Sequence, residues 1–281
     1  MRSVKSLLAA GAASLFCTVA FAADMPIAVP PVYAPPADFG GWYLRGDIGF
    51  SNQSVKSVRN TNDALYANNL SFGQQTGFDT GGIFDLGVGY RFNNWFRADV
   101  TGQYRGRTNF HGLDLVSYPM GGGAVGYGAD TYNGSKSEWL FLANAYFDLG
   151  TWWCVTPFIG AGIGASRVTV ANFTDLGTNY LAAGGVGPGL VSAATGSQWN
   201  FAWAAHAGLA YQVSPNLTLE LAYSYVNLGN GVTGNAWAFD YSAGGHVFKF
   251  NDITSHDLKV GVRWNLDAPM PMYAPPLVTK G

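Results

Sequence analysis

Charge is scarce in this sequence: only 11% of its 281 residues are Asp, Glu, Lys or Arg, well under the roughly 25% of ordinary soluble domains. With a net charge of -2, disorder driven by self-repulsion is excluded, and so is the basic surface that a nucleic-acid partner requires. Long hydrophobic runs are lacking too. Although 48% of the residues are hydrophobic, no window beyond the N-terminus reaches the roughly 18 uninterrupted apolar residues of a membrane helix. Cysteine is nearly absent, with Cys17 and Cys154 alone. Proline is scarce in the middle: of 13 prolines, five lie between Pro26 and Pro36 and four between Pro269 and Pro276.

The N-terminus reads as an address. Arg2 and Lys5 precede an apolar stretch from Leu7 to Ala20, and Ala20-Phe21-Ala22 is a small-x-small site, so residues 1–22 are expected to be a signal peptide cleaved before Ala23. Phe16 is too bulky to precede a lipidated Cys17. Cleavage leaves Cys154 alone, with no intrachain disulfide. Residues 23–39 and 267–281 are expected to be Pro-rich periplasmic segments, echoing each other in Tyr33-Ala34-Pro35-Pro36 and Tyr273-Ala274-Pro275-Pro276. At about 3.1 Å per residue the first could reach on the order of 50 Å.

Between them the pattern has period two. Trp42, Leu44, Ile48 and Phe50 alternate with Tyr43, Arg45, Asp47 and Gly49, and Phe84, Leu86 and Val88 alternate with Asp85, Gly87 and Gly89. The same alternation recurs in segments beginning near Phe96, Trp139, Pro157, Trp199, Leu217 and Leu258. Eight amphipathic strands of about 10 to 14 residues have the length that crosses a bilayer when tilted. Tight turns at 93–94, 150–154 and 214–216 alternate with long polar segments at 51–79, 106–136, 167–198 and 228–254. The expected fold is all-β: a transmembrane antiparallel barrel over 40–266, with short periplasmic turns, four long extracellular loops and both termini periplasmic. Residues 106–136 are long enough to hide a further hairpin, which would make ten strands.

The charges share one phase. Arg45, Asp47, Asp85, Arg91, Arg97, Asp99, Arg105, Glu138, Asp148, Glu220, Asp257, Lys259 and Arg263 all alternate with the large apolar residues, which predicts a polar lumen inside an apolar wall. A soluble ligand-binding barrel would invert this arrangement and carry many more surface charges. Cations and anions nearly balance, so they are expected to pair as a plug, with Glu220 beside Lys259 or Arg263; a selective pore would show rings of one sign. No catalytic residues and no cofactor are expected. Gly160-Ala161-Gly162-Ile163-Gly164 has no helix after it and fits a crowded inner strand face. His206 falls on the inner phase as a satisfied lumen histidine. His111 and His246, in the second and fourth long segments, are candidate ligands for haem or another surface ligand, and neither has metal-ligand spacing.

Phe39-Gly40-Gly41-Trp42-Tyr43-Leu44-Arg45-Gly46, Trp139 to Asp148 and Pro157 to Gly164 carry a resemblance to the alphaproteobacterial outer-membrane protein family of small surface-antigen barrels. The resemblance implies a structural envelope protein, a small porin-like channel or a surface haem binder. It also implies outer-membrane lipid, lipopolysaccharide and the barrel-assembly machinery as partners. Relatives whose mature chain begins Ala-Asp are joined to peptidoglycan through the N-terminal amine, which would make Ala23 the linked residue and Asp24 part of the motif. Family members end on an aromatic that closes the last strand; here Asp267 to Gly281 follow the eighth strand. Oligomeric state is left open.

Overall fold

The computed structural model describes residues 40–62, 67–180, 186–241 and 244–266. The expected signal peptide, both Pro-rich segments, and with them Ala23 and Asp24, lie outside these residues. No helix among the described residues is long and apolar enough to cross a membrane.

The strands are β1 (Gly41–Asn60), β2 (Ser71–Phe78), β3 (Gly81–Arg91), β4 (Phe96–Met120), β5 (Ala124–Asp148), β6 (Val155–Tyr180), β7 (Val186–Ala193), β8 (Gly196–Gln212), β9 (Leu217–Val232), β10 (Ala236–Ala238), β11 (Gly244–His246) and β12 (Phe248–Asn265). Eight of them form a closed antiparallel ring in the order β1-β3-β4-β5-β6-β8-β9-β12. The last strand closes on the first from Tyr43↔Asn265 to Asn60↔Phe248. Closure leaves the ring without the unpaired edges that lipid cannot hydrate.

Alternation sets the two faces of the wall. On β1, Tyr43, Arg45 and Asp47 are buried while Trp42, Leu44, Ile48 and Phe50 are 48–68% exposed. The same inversion of a soluble protein's pattern holds on β3, β5, β9 and β12, where Leu86, Phe141, Leu221 and Val260 face out and Asp85, Asn144, Glu220 and Lys259 face in. Inward glycines make room for inward rings. A Cβ at Gly89 would lie 2.3 Å from the Tyr43 ring, and one at Gly160 would lie 2.4 Å from that of Tyr146. The alternating glycines near residue 160 are therefore steric, as their pattern suggested.

Short turns gather at one end. Asn93 Oδ1 accepts the amides of Trp95 and Phe96 at 3.0 and 2.8 Å, an Asx-type turn that reverses the chain between β3 and β4. The opposite end departs from expectation. The four long connections are mostly strand: β4 and β5 stay paired out to Met120↔Ala124, so residues 106–136 prolong an existing hairpin and add no strand to the ring. β2 continues the line of β3 against β4, and β7 continues that of β8 against β6. The physical reason is that period two does not stop at residue 105. Ser, Thr and Asn enter the outward positions beside residues such as Leu115 and Leu176, while inward positions still carry apolar groups such as Phe110, Val168 and Val170. We call this prolongation the crown.

Candidate functional site

The interior is filled in three tiers. Nearest the short turns, Glu220 on β9 faces three guanidinium groups: Arg263 at 2.9 Å, and Arg45 and Arg97 each at 3.4 Å. Its Oε1 has no aligned hydrogen bond despite the close Arg263 nitrogen, so that attraction is Coulombic in character. Arg45 also reaches Asp47 at 2.9 Å and Asp99 at 3.0 Å, and donates to the Tyr146 hydroxyl at 2.9 Å. Arg97 pairs with Asp148 at 3.3 Å and lies 4.3 Å from the Tyr146 ring centroid and 4.8 Å from that of Phe158. His206 is satisfied between Ser224 (2.8 Å) and the Asn144 carbonyl oxygen (3.2 Å).

Higher up, Lys259 pairs with Asp85 at 3.3 Å, and Gln103 donates to the same carboxylate at 3.2 Å. Arg105 forks onto Asp257 and donates to Ser51 and Ser255 at 3.2 and 3.0 Å. Lys136 is held between Gln53 and Glu138.

Of the expected lumen residues, Arg45, Asp47, Asp85, Arg97, Asp99, Arg105, Glu138, Asp148, Glu220, Asp257, Lys259 and Arg263 are buried inside the ring. Arg91 is the correction. It sits at the end of β3, half-buried, and donates from Nε to the Asn93 carbonyl at 3.3 Å, because the turn that follows offers a nearer acceptor than the lumen. Lys136 takes its place as sixth cation. It was missed inside a segment read as loop, although its spacing of two from Glu138 puts both on one face. Of the two cations expected beside Glu220, Arg263 pairs with it and Lys259 turns to Asp85.

The second tier is apolar. Phe110, Phe173, Phe248, Phe250, Leu140, Val168 and Val170 form a buried cluster across the tube above the charged network. It too lies largely in segments read as polar. Above it, the crown encloses a cavity of about 500 Å³ lined by Asp114, Asp130, Asp175, Tyr132, Phe72 and His246, among others. Asp114 accepts from Gln74 and from the Tyr132 hydroxyl, both at 2.8 Å. Burial raises the pKa of all three carboxyls, and neighbouring Asp130 and Asp114 help push Asp175 up to about 7. Gln74 also closes a seam in the wall: its amide spans Val58, accepting from the N–H at 2.8 Å and donating to the C=O at 2.7 Å, where β1 and β2 have no backbone ladder.

The two candidate ligand histidines do not converge. His111 points outward from β4, bonded to Asn133 at 3.1 Å and 4.0 Å from Asp79, while His246 lines the cavity. Among the described residues no three His, Cys, Asp or Glu are grouped to hold a metal.

A family profile described as outer membrane protein beta-barrel domain matches residues 8–265. An uncharacterized protein of Brucella abortus (strain 2308) is 33% identical over 282 residues, covering 88% of this chain and 93% of its own. The outer membrane protein PagN of Salmonella typhimurium is 28% identical, covering 71% and 80%. A putative adhesin of Rickettsia bellii (strain OSU 85-389) is 28% identical, covering 82% and 91%.

Proposed function

The chain belongs to the outer-membrane β-barrel protein family, and from that premise we propose that it is a structural surface protein of the Gram-negative envelope, closed to solutes, with its crown extracellular and its short turns periplasmic. The observation that carries the closed reading is the filled lumen: a near-balanced ionic network with a buried aromatic and aliphatic cluster stacked on it. A tube of eight strands is narrow enough for side chains to fill. Short turns at the end where β1 begins and β12 finishes support the orientation, since barrels of this class keep short turns in the periplasm and long connections outside.

Within this reading the mature N-terminus, Ala23-Asp24, tethers the barrel to peptidoglycan through its amine and the Pro-rich spacer. Two measurements test the two halves. Refolded protein in planar bilayers is expected to give no reproducible conductance; steady ohmic steps would move the function to a porin. Muramidase digests of detergent-boiled sacculi are expected to contain muropeptide on the Ala23 amine, and a consistent absence there removes the tether.

A second reading, adhesion, is favoured by one feature of the crown. Trp237, Phe239 and Tyr241 lie together on an outer connection at 47%, 80% and 79% exposure, and exposed aromatics are what binding surfaces place at their centres. The relative named as a putative adhesin is consistent with it. Crown-directed antibody blocking attachment to host cells would support this role, and unchanged attachment by a deletion strain would remove it.

A further inference from the structure

The crown cavity gathers acid without base. Among the described residues its lining holds Asp114, Asp130 and Asp175 and no lysine or arginine. Arg59, 5.8 Å from the Phe72 ring centroid, attracts Asp114 from outside the lining, and Asp114 has donors in Gln74 and Tyr132. Asp130 and Asp175 have neither: among the described residues they accept no hydrogen bond and enter no ion pair, and Asp175 Oδ1 is sealed from solvent with no donor. Buried polar atoms of folded proteins almost always find a partner, so an orphaned carboxyl oxygen in a cavity wall points to one that the chain does not supply. The site stands clear of lipid. Outward Tyr104, Trp139 and Trp199, in one row with Arg167, form the upper aromatic girdle, the level at which lipid tails give way to headgroups. The three carboxyls lie eight to ten residues beyond that row on β4, β5 and β6.

Strand register lays the carboxyls out in a line. One row crosses five strands: Gln74 of β2, Asp114 of β4, Asp130 of β5, Gly177 of β6 and Gly189 of β7. In the adjoining row Asp175 stands between Tyr132 and Val191. Directly opposed side chains are about 5 Å apart and diagonal ones about 7 Å, so the acids are spread along the wall, and among the described residues no three are grouped to hold a metal ion. Glycine makes the room beside them. A Cβ at Gly177 would lie 2.6 Å from Asp130 Oδ1, and one at Gly189 would meet nothing within 4 Å. Val116, Val191 and Phe248 add apolar surface to the same lining, and about 500 Å³ is the size of a small-molecule site. Burial favours the protonated form of all three carboxyls, and for Asp130 and Asp175 so does the charge of neighbouring aspartates. A cation arriving there relieves that repulsion and sends the protons to solvent, whereas an anion would add to it.

We propose that the crown cavity binds a linear aliphatic polyamine, with ammonium groups on Asp130 and Asp175 and methylene segments against Val116, Val191 and Phe248. The spacing of the acids selects this class. A single metal ion finds no grouped ligands, a monoamine leaves one carboxyl without a partner, and a chain of methylenes between ammonium groups reaches both while covering the apolar wall. Binding is a property of the folded chain, so the proposal holds whichever side of the membrane the crown faces and whether or not the lumen conducts.

The test uses the full folded chain in detergent, titrated calorimetrically with spermidine at fixed ionic strength. Saturable one-to-one binding is expected, weaker by about tenfold or more for butylamine and for the D130N/D175N double variant. G189L, which keeps every carboxyl but puts a side chain into the open space of the cavity, should weaken binding as well. D79N removes an exposed carboxylate outside the lining and should bind like the parent. No saturable binding by the parent, butylamine as tight as spermidine, or a loss in D79N as large as that in D130N/D175N would each overturn the proposal. So would G189L binding like the parent, which puts the amine outside the cavity, or calcium chloride displacing spermidine at equal concentration, which makes the site one for a metal. Heat-modifiable gel migration verifies folding, and the comparison of the two amines needs no variant.

Discussion

At the scale of single residues, Glu220 is the carboxylate on which the cations of the lumen converge. Three guanidinium groups face it, and among the described residues only Arg45 and Arg97 of the three have a second carboxylate within ion-pair distance. Glu220→Gln keeps the shape and removes the charge, leaving Arg263 without its counter-ion in a buried site. Breaking such a pair costs about 3–5 kcal/mol, so the variant should unfold at clearly lower urea while R91Q, whose side chain bonds to the Asn93 carbonyl of its own turn, should shift it by less than about 0.5 kcal/mol. Equal midpoints for E220Q and the parent would show the network to be slack. Asp175 makes a different kind of prediction. It lies on β6 in register with Val191 of β7, eight residues beyond the girdle position Arg167, so its carboxyl stands clear of the bilayer. Its folded pKa, about 7, exceeds the roughly 3.9 of an unfolded Asp, so the fold binds the extra proton. The stability it lends is complete below about pH 4, declines as pH rises towards 7, and changes little beyond. Hydrogen exchange of the β6–β7 pairing should therefore quicken between pH 5 and 8 beyond the intrinsic rate increase, and D175N should flatten that excess. Phase alone placed Glu220 beside Lys259 or Arg263, because adjacent strands bring same-phase residues together, and it left the choice between the two open. The convergence of Arg45 and Arg97 on Glu220 was not legible, since it crosses the lumen and depends on how the ring closes.

At the scale of elements, the wall was readable and the crown was not. Between Leu258 and Leu266 large apolar residues mark every second position, as they do from Trp42 to Phe50 save at Gly46, and lipid enforces that contrast. Above the girdle Ser, Thr and Asn enter the outward positions among residues such as Leu115 and Leu176, so the contrast weakens and the same strands look like loops. What betrays them is the inward half of the pattern. Phe110, Phe173, Phe248 and Phe250 come from β4, β6 and β12 and meet in one cluster, with Phe173 and Phe248 centroids 4.5 Å apart. If that cluster holds the crown to the barrel, Phe173→Ala should cost about 3–5 kcal/mol. The loss should appear as faster exchange above residue 106 on β4 and above 168 on β6, with the membrane-level strands still protected. Uniform loss of protection throughout the ring would mean that crown and barrel unfold as one unit.

At the scale of the whole molecule, the interior and the exterior have exchanged the roles they play in a soluble protein. Charges neutralise one another inside, apolar groups meet lipid outside, and the parts free to act are the two ends and the outer rim. Which end faces the environment therefore governs every functional reading, and the chain carries its own probe. Cys154 is exposed in the turn between β5 and β6, at the short-turn end, and Cys17 belongs to the expected leader. A membrane-impermeant maleimide should leave intact cells unlabelled and modify the protein once the outer membrane is permeabilised. A Y241C variant, with its new thiol on the crown connection, should label in intact cells. Mass spectrometry of the labelled chain reads the leader in the same experiment, because one adduct in the parent means that Cys17 has gone and two mean that it remains. Labelling of the parent in intact cells, with Y241C gaining nothing, would invert the barrel. The aromatic connection would then face the periplasm, which withdraws the adhesion reading.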